Sequence, residues 1–411
     1  MEPDAVVAPE TPEQIARVLQ ACTEEKIAVV PVGSGLHQHY GNPPQPPFVA
    51  VGVSGISQVE HYDPGDLTIG IGAGATLREV EALVAANGQW LPVLSYPGRC
   101  ASGGATVGGM LATAQHGPLK HAFGGVRDFC IGVRFTSGDG KRGKGGGRVV
   151  KNVAGYDFMK LMIASYGTLG IITSASFKLF PRPRNTATFV CRFSNSGEAV
   201  AFRDRILGSV LAPLALEVVS PGAAAILHGE AAFERCWRIL VRAGGSDRQI
   251  SRYRSELGEA IASELSGEEE SSAWALMDDF EFKLPPNSML LAVSCPIAGV
   301  AEALAAGERA CRERGLELAC LGRAGTGTLM MAVIDPGGAR EPLLGALHAL
   351  RAALPPRVSA ALRRCPAGML MASSGDAASR WQVRSDELEL IRTVKNSLDP
   401  AWILNRGRYF A

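Results

Sequence analysis

Gly104 to Asp128 reads GATVGGMLATAQHGPLKHAFGGVRD, and Lys151 to Pro181 reads KNVAGYDFMKLMIASYGTLGIITSASFKLFP. Both stretches join glycine-dense turns to short apolar runs. Gly104, Gly108, Gly109, Gly117, Gly124 and Gly125 all fall in the first. Glycine at that density brings backbone close to something, either other backbone or a bound group. A run of tight turns fits the composition equally well, so the order of the neighbouring pieces has to decide.

Upstream, Thr11-Pro12-Glu13-Gln14 predicts a capped helix start, with Ile15, Val18, Leu19 and Cys22 on one buried face. Ile27–Val32 predicts a short buried strand running into PVGSGLHQHYG, Pro31 to Gly41. Gly33 and Gly35 let backbone N–H groups turn inward together, the geometry of an anion cradle that holds pyrophosphates. The Rossmann fingerprint fits poorly, because NPPQPP from Asn42 forbids the helix that should follow. A plain hairpin loop fits this stretch as well. Phe48–Val53 and Val59–Tyr62 predict strands, and Leu67, Ile69 and Ile71 alternate with Thr68, Gly70 and Gly72 as in a half-buried strand. Thr76 and Glu79 predict a second capping box and a helix from Leu77 to about Asn87.

Downstream, Phe129–Ser137 predicts another strand. Gly138 to Lys144 matches the start of a P-loop, but Gly145 stands where Ser or Thr is needed and no helix follows, so a basic hairpin tip is expected. After Pro181-Arg182-Pro183-Arg184 the pattern changes. Strands near Ala187–Cys191, Leu214–Val219, Arg238–Arg242 and Met289–Ser294 alternate with helices near Gly197–Ile206, Asp247–Leu257 and Val300–Cys311. A hairpin through GRAGTG, a helix near Pro342–Ala353, a strand at Gly368–Ala372 and a helix over Ser385–Ser397 complete this part.

The chain has 411 residues, 46% hydrophobic and 20% charged, enough for two domains with their own cores. A net charge of +1 gives no reason to expect a nucleic-acid or anionic-membrane partner. Its nine cysteines are scattered and never spaced CxxC, which argues against a disulfide framework and a self-contained iron–sulfur cluster. The acidic, proline-bearing start is unlike a signal peptide, and the apolar stretch from Met289 is too interrupted to span a bilayer. A cytoplasmic location is expected, with any membrane attachment peripheral, at the inner membrane, through partners.

Four stretches in this order, PVGSGLHQHYG, DPGDLTIGIGAGATLREVEALVAANGQWLPV, GGATVGGMLATAQHGPLKHAFGGVRDFCIGV and GGGRVVKNVAGYDFMKLMIASYGTLGIIT, resemble the FAD-binding oxidases of the vanillyl-alcohol oxidase / p-cresol methylhydroxylase (PCMH) type, above all the FAD-binding subunit of bacterial glycolate oxidase. The tail LDPAWILNRGR is similar to that family's closing segment, with Arg406 where a proline commonly stands. The resemblance implies an α+β fold: a PCMH-type FAD-binding domain of two α/β subdomains over 1–182, an α+β cap domain over 183–375, and a segment, 376–411, returning to the FAD domain. It implies that Gly33, Ser34, Gly35 and Leu36 wrap the FAD pyrophosphate. Pro97, Gly103, Gly104 and Thr106 would line the ring system, continued by Gly108, Gly109 and Thr113. Gly124, Val126, Arg127 and Asp128 would sit near the ribose and ring edge, and Ile171 and Ile172 on the adenine side. Some relatives attach FAD through a histidine of the pyrophosphate loop. His37 and His39 do not match that position and are expected to be loose surface histidines, with FAD held non-covalently.

Related hydroxy-acid dehydrogenases carry a metal motif, GHxGDGNxH, in the cap. This chain has GRAGTGTLM at Gly322–Met330, with Arg323, Thr326 and Met330 at ligand positions, so no metal is expected. The catalytic residue stays unassigned, with Tyr156 and Arg323 as candidates. Arg323 fits a carboxylate site or a fixed charge filling the vacated one. The implied function is an FAD-binding subunit of a glycolate oxidase-like, 2-hydroxy-acid oxidoreductase complex. Its partners would be a second FAD-containing hydroxy-acid oxidase subunit and an iron–sulfur subunit. The alternatives are a free-standing FAD-dependent oxidase or dehydrogenase of a small organic acid or alcohol, and a non-catalytic FAD-bearing assembly subunit.

Overall fold

The computed structural model describes residues 2–93, 104–148, 157–229, 235–366, 369 and 380–409. Helices start where the capping residues stand. Thr11 accepts from Gln14 N and Gln14 returns the bond at the head of Pro12–Glu24. Thr76 and Glu79 do the same for Leu77–Ala85. Each box satisfies backbone donors that the helix itself leaves open.

Ala5–Val7, Phe48–Gly52 and Ala28–Val32 form a parallel sheet in that order. A second sheet of five antiparallel strands runs Val59–Asp63, Thr68–Gly72, Ile171–Lys178, Cys130–Thr136 and Arg142–Gly146. Thr68–Gly72, expected to be half-buried, is buried at all five residues. Ile69 and Ile71 face a core, while side chains at Gly70 and Gly72 would collide with His61 and with the Ile56 carbonyl. The glycines there admit neighbouring chain rather than face water. The expected hairpin tip is found as the turn at 138–141, which joins Cys130–Thr136 to its antiparallel partner, the strand Arg142–Gly146.

The larger part is an antiparallel sheet of eight strands. They run in the order Ile261–Ser266, Asn185–Phe193, Trp237–Gly245, Ala215–Val219, Glu317–Arg323, Thr328–Ile334, Ser288–Ser294 and Ser359–Arg364. Helices Ser196–Leu207, Asp247–Leu257, Val300–Arg312 and Arg340–Ala353 cover one face. Pro221–His228, Gly267–Asp278 and Phe280–Lys283 cover the other. Side chains alternate across each strand, so Leu216 and Val218 enter the first core while Glu217 falls on the face of Ala215 and Val219. Of the strand predicted at Gly368–Ala372, all but Met369 lies outside the described residues; the strand found near it is Ser359–Arg364.

The last helix, Ser385–Leu398, carries the chain back to the parallel sheet. Val29 N donates to Ile403 O at 2.8 Å and Asn405 N to Val29 O at 2.7 Å. Ile403 and Leu404 are buried with Ile15, Leu19 and Val51. Lys395 Nζ anchors the turn, donating to Thr168 O at 2.7 Å, to Leu404 O at 2.9 Å and to the Asp399 carboxylate.

Candidate functional site: a dinucleotide cradle beside a charged cavity

The strand Ala28–Val32 ends in a loop whose backbone is open. No described residue accepts a hydrogen bond from the N–H of Gly33, Ser34, Gly35 or Leu36. Gly35 has φ +79°, and a side chain there would meet nothing within 4 Å. The loop faces a cleft that Thr106, Gly108, Gly109, Ile171 and Ile172 also line. Opposite stands the helix Val107–Thr113. Thr106 caps it, accepting from Gly109 N at 3.2 Å, and Gly33 passes so near Thr106 that a side chain at Gly33 would strike its hydroxyl. Gly108 is required by packing, because its N–H donates to Ala73 O at 2.8 Å and a side chain would press on Ala73. Gly109 meets no atom but Thr106 Oγ1, at 3.1 Å, so a larger residue there would project into open space.

Four N–H groups with no acceptor among the described residues, small residues around them and the buried Arg408 on the same wall fit the pyrophosphate of a dinucleotide. Gly33, Ser34, Gly35, Leu36, Thr106, Gly108, Gly109, Thr113, Ile171 and Ile172 line this one cavity. Gly104 adjoins it, buried at φ +96°. Gly124, Val126, Arg127 and Asp128 lie off it. Asp128 Oδ2 accepts from Gly125 N at 2.7 Å, a side chain at Gly124 would collide with that carboxylate, and Val126 is in the core. The glycine pair there turns the chain into the short helix Val126–Phe129. Pro97, Gly103 and Tyr156 lie outside the described residues.

Several other residues line it: His37, expected at the surface, and Tyr40, Tyr166, Asn405 and Arg408, which the sequence reading does not single out. Asn405 Nδ2 donates to Tyr166 O at 2.6 Å, and both residues have positive φ, +44° and +51°. An asparagine and a glycine in NRGR were the available signal, since asparagine tolerates that conformation better than most residues.

His37 and His39 are not loose surface groups. His39 Nε2 lies 2.7 Å from Glu281 Oε1, and Tyr40 Oη donates to Glu281 Oε2 at 2.6 Å. His37 Nε2 is 3.2 Å from Gln115 Nε2. Burial pushes the His37 imidazole down to about 4, against the opposing charge of Glu281. Burial alone would raise the Glu281 carboxyl, but the hydrogen bonds from His39 and Tyr40 and the charge of Arg363 bring it below the ordinary value.

Glu281 opens onto a second, small cavity, with His116, Asp278, Arg323 and Arg363 also on its wall. Arg323 is 6% exposed. Its Nη2 donates to His116 O at 3.0 Å, and its buried Nε has no acceptor. Behind it, on the next strand and in register, stands Glu217, with neither carboxylate oxygen hydrogen-bonded. Burial raises Glu217 to about 7, partly countered by Arg323. Burial likewise raises Asp278 well above the carboxylate range. His116 is held well below its usual value by burial and then by Arg323 and Lys120. The cavity therefore presents two guanidinium groups, a neutral imidazole and one firmly ionised carboxylate. Arg323 is both a wall of this cavity and the neighbour of a buried acid. Among the described residues no group of His, Cys, Asp and Glu is placed to hold a metal ion.

An FAD-dependent oxidoreductase is the class that this cradle and these sheets define. Residues 3–144 match the FAD binding domain family, and residues 182–343 and 376–409 match the FAD linked oxidases, C-terminal domain. The glycolate oxidase subunit GlcD of Bacillus subtilis is 23% identical over 100% of this chain and 89% of its own length. The D-lactate dehydrogenase of Archaeoglobus fulgidus is 26% identical over 98% and 90%. The glycolate oxidase subunit GlcE of Escherichia coli is 44% identical over 126 residues, 31% of this chain and 35% of GlcE. The solved structure of p-cresol methylhydroxylase superposes with a TM-score of 0.75 over 99% of this chain and 88% of its own, at 17% identity. The chain belongs to the FAD-linked oxidases, in the glycolate oxidase / D-lactate dehydrogenase family, and its cofactor is FAD.

Proposed function

We propose that this chain is the FAD-binding subunit of a glycolate oxidase-like complex acting on a small 2-hydroxy acid. The 44% identity to GlcE over 126 residues carries this reading; the D-lactate dehydrogenase of Archaeoglobus fulgidus is 26% identical over 421 residues. The N–H groups of Gly33 to Leu36 would hold the pyrophosphate of a non-covalent FAD. Bound there, FAD supplies the hydride acceptor. Arg323 and Arg363 bring to the second cavity the charge that a carboxylate requires. Glu281 is the ionised acceptor on the same wall, and burial raises the Asp278 carboxyl beside it. A second FAD-containing oxidase subunit and an iron–sulfur subunit would complete electron transfer. Attachment to a membrane would come through them, because no described helix is long and apolar enough to cross one.

That cavity also favours a second reading, a free-standing oxidase or dehydrogenase of an organic acid. Anaerobic titration of the yellow protein with glycolate and D-lactate separates the readings. Bleaching only after the partner subunits are added supports the complex. Bleaching of the isolated chain supports the free-standing enzyme. A flavin that dithionite reduces, but that no substrate reduces even with the partners, sinks both in favour of an assembly role. Arg323→Ala is expected to leave FAD content unchanged while weakening any substrate response about tenfold or more.

A further inference from the structure

The loop that offers its N–H groups to FAD has little structure of its own. Within it, Gln38 N donates to Gly35 O at 3.3 Å and Tyr40 N to His37 O at 3.0 Å. Its shape is imposed by two segments remote in sequence. On one side stands Arg408 from the tail, 3% exposed. Its Nη1 donates to Gln38 O at 2.7 Å and Tyr40 O at 2.8 Å, and its Nη2 to Gln38 Oε1 at 3.0 Å. Asn405 Oδ1 orients the group by accepting from Nε at 3.2 Å. The bond from Asn42 N to Arg408 O, 2.9 Å, closes the clasp, and a side chain at Gly41 would strike Arg408. On the other side is Glu281, on the short helix Phe280–Lys283 that covers the large sheet. Its two carboxylate oxygens engage consecutive loop residues, His39 and Tyr40. Arg364 Nη1 holds that helix by donating to Glu281 O at 3.0 Å.

We propose that Arg408 and Glu281 are positioning residues for the FAD pyrophosphate, acting through the loop 33–41, so that FAD binding and the seating of the tail and of the helix bearing Glu281 are one linked equilibrium. The loop's four donors line one cavity and have no acceptor among the described residues, an arrangement that is unfavourable until an anion arrives. Two outside clamps that pull on the loop carbonyls and side chains keep it from relaxing. Arg408 also lines the cavity, adding a buried positive charge to a site for two negative phosphates. Because linkage is reciprocal, whatever strengthens the clamps strengthens FAD binding, and FAD in turn fixes the tail.

The test uses the full-length apoprotein and needs no hydroxy acid, so its failure leaves the proposed substrate chemistry untouched. FAD is titrated by fluorescence quenching, and amide exchange over residues 33–41 is followed without ligand. Arg408→Met is expected to raise the FAD Kd about ten- to a hundredfold. Arg408→Lys should recover part of this, since a lysine supplies the charge but not the planar fork. Glu281→Gln should raise the Kd about three- to tenfold by weakening the charge-assisted bonds. Exchange of the loop amides should quicken in all three, while Cys130–Thr136 and Ile171–Lys178 keep their protection. Unchanged FAD affinity in Arg408→Met or Glu281→Gln overturns the proposal. So does weaker affinity with unchanged loop exchange, which would make Arg408 a direct ligand. Loss of protection throughout the five-stranded sheet would reduce its role to folding. If Arg408→Met does not fold, Glu281→Gln and Arg408→Lys decide the question by the same readings.

Discussion

Gly109 and Gly33 face one cavity but should fail differently when a side chain is added. A valine at Gly109 has just Thr106 Oγ1 within reach, so the protein is expected to fold with its cradle filled. Purified Gly109→Val should carry less than about a tenth of the wild-type flavin, read as the ratio of flavin to protein absorbance, with an unfolding midpoint near wild type. Gly33→Ala drives its methyl into the hydroxyl that caps Val107–Thr113, so it should lose flavin and also about 1 kcal/mol of stability. Normal flavin in Gly109→Val would remove this cavity as the FAD site. Glu217 supports a prediction of a different kind. Its folded value of about 7 lies above the usual 4.5, so it favours folding most below pH 4.5, and that contribution is lost as pH rises through 7. The gap corresponds to roughly 3 kcal/mol. Glu217→Gln should match wild type below about pH 4 and exceed its stability by up to about 3 kcal/mol near pH 8. Parallel urea curves at the two pH values check this, and a difference independent of pH would show that Glu217 stays ionised in the fold.

The tail helix Ser385–Leu398 is fastened by a charge that the interior must compensate. Lys395 is 2% exposed and Asp399 fully buried, and Asp399 also accepts from Leu404 N at 2.8 Å. Lys395→Met should destabilise the protein by about 3–5 kcal/mol, because an unpaired carboxylate is left inside. Adding Asp399→Asn should recover part of that loss, and additive effects in a double-mutant cycle would refute the pairing. The periodicity of this helix was legible in the sequence, as were the capping boxes at Thr11 and Thr76, because cap and apolar stripe are local signals. Helix Pro221–His228 and strand Ser359–Arg364 were not read. The first is almost all small or apolar, PGAAAILH, and shows no face. The second, SAALRR, alternates too weakly to stand out from a loop. That Gly33 and Gly35 belong to a loop after a strand was legible for the same local reason as the helices. The outer clamps of that loop were not. Arg408 and Glu281 meet the loop across 368 and 241 residues of sequence, and one arginine or glutamate among many bears no local mark of such a role. Gly124 and Asp128 lie off the loop's cavity in a turn of their own, and a glycine needed for a turn looks the same in sequence as one needed for a ligand.

At the scale of the molecule, the apolar interior is divided. One core lies under the five-stranded sheet and another under the parallel sheet and tail, while two more sandwich the eight-stranded sheet. Between the halves run polar contacts, among them Glu281 to His39 and Tyr40 and Lys120 Nζ to Thr328 Oγ1 at 3.0 Å. Polar contacts of this sort give up their bonds to water at little net loss, so they couple the halves less strongly than a shared core would. The apoprotein is therefore expected to unfold in two calorimetric steps. FAD at a hundred times its Kd stabilises the half that binds it by about 2.7 kcal/mol, which for a unit of this size raises that step by about 5–10 °C. The step belonging to the eight-stranded sheet should move less, by an amount set by the bonds through Glu281. Glu281→Gln should then leave the FAD-dependent step responsive and cut the shift of the other towards zero. A single transition in the apoprotein, unsplit by Glu281→Gln, would mean that the halves share their stability through packing, and that the loop between them is held by the fold as a whole.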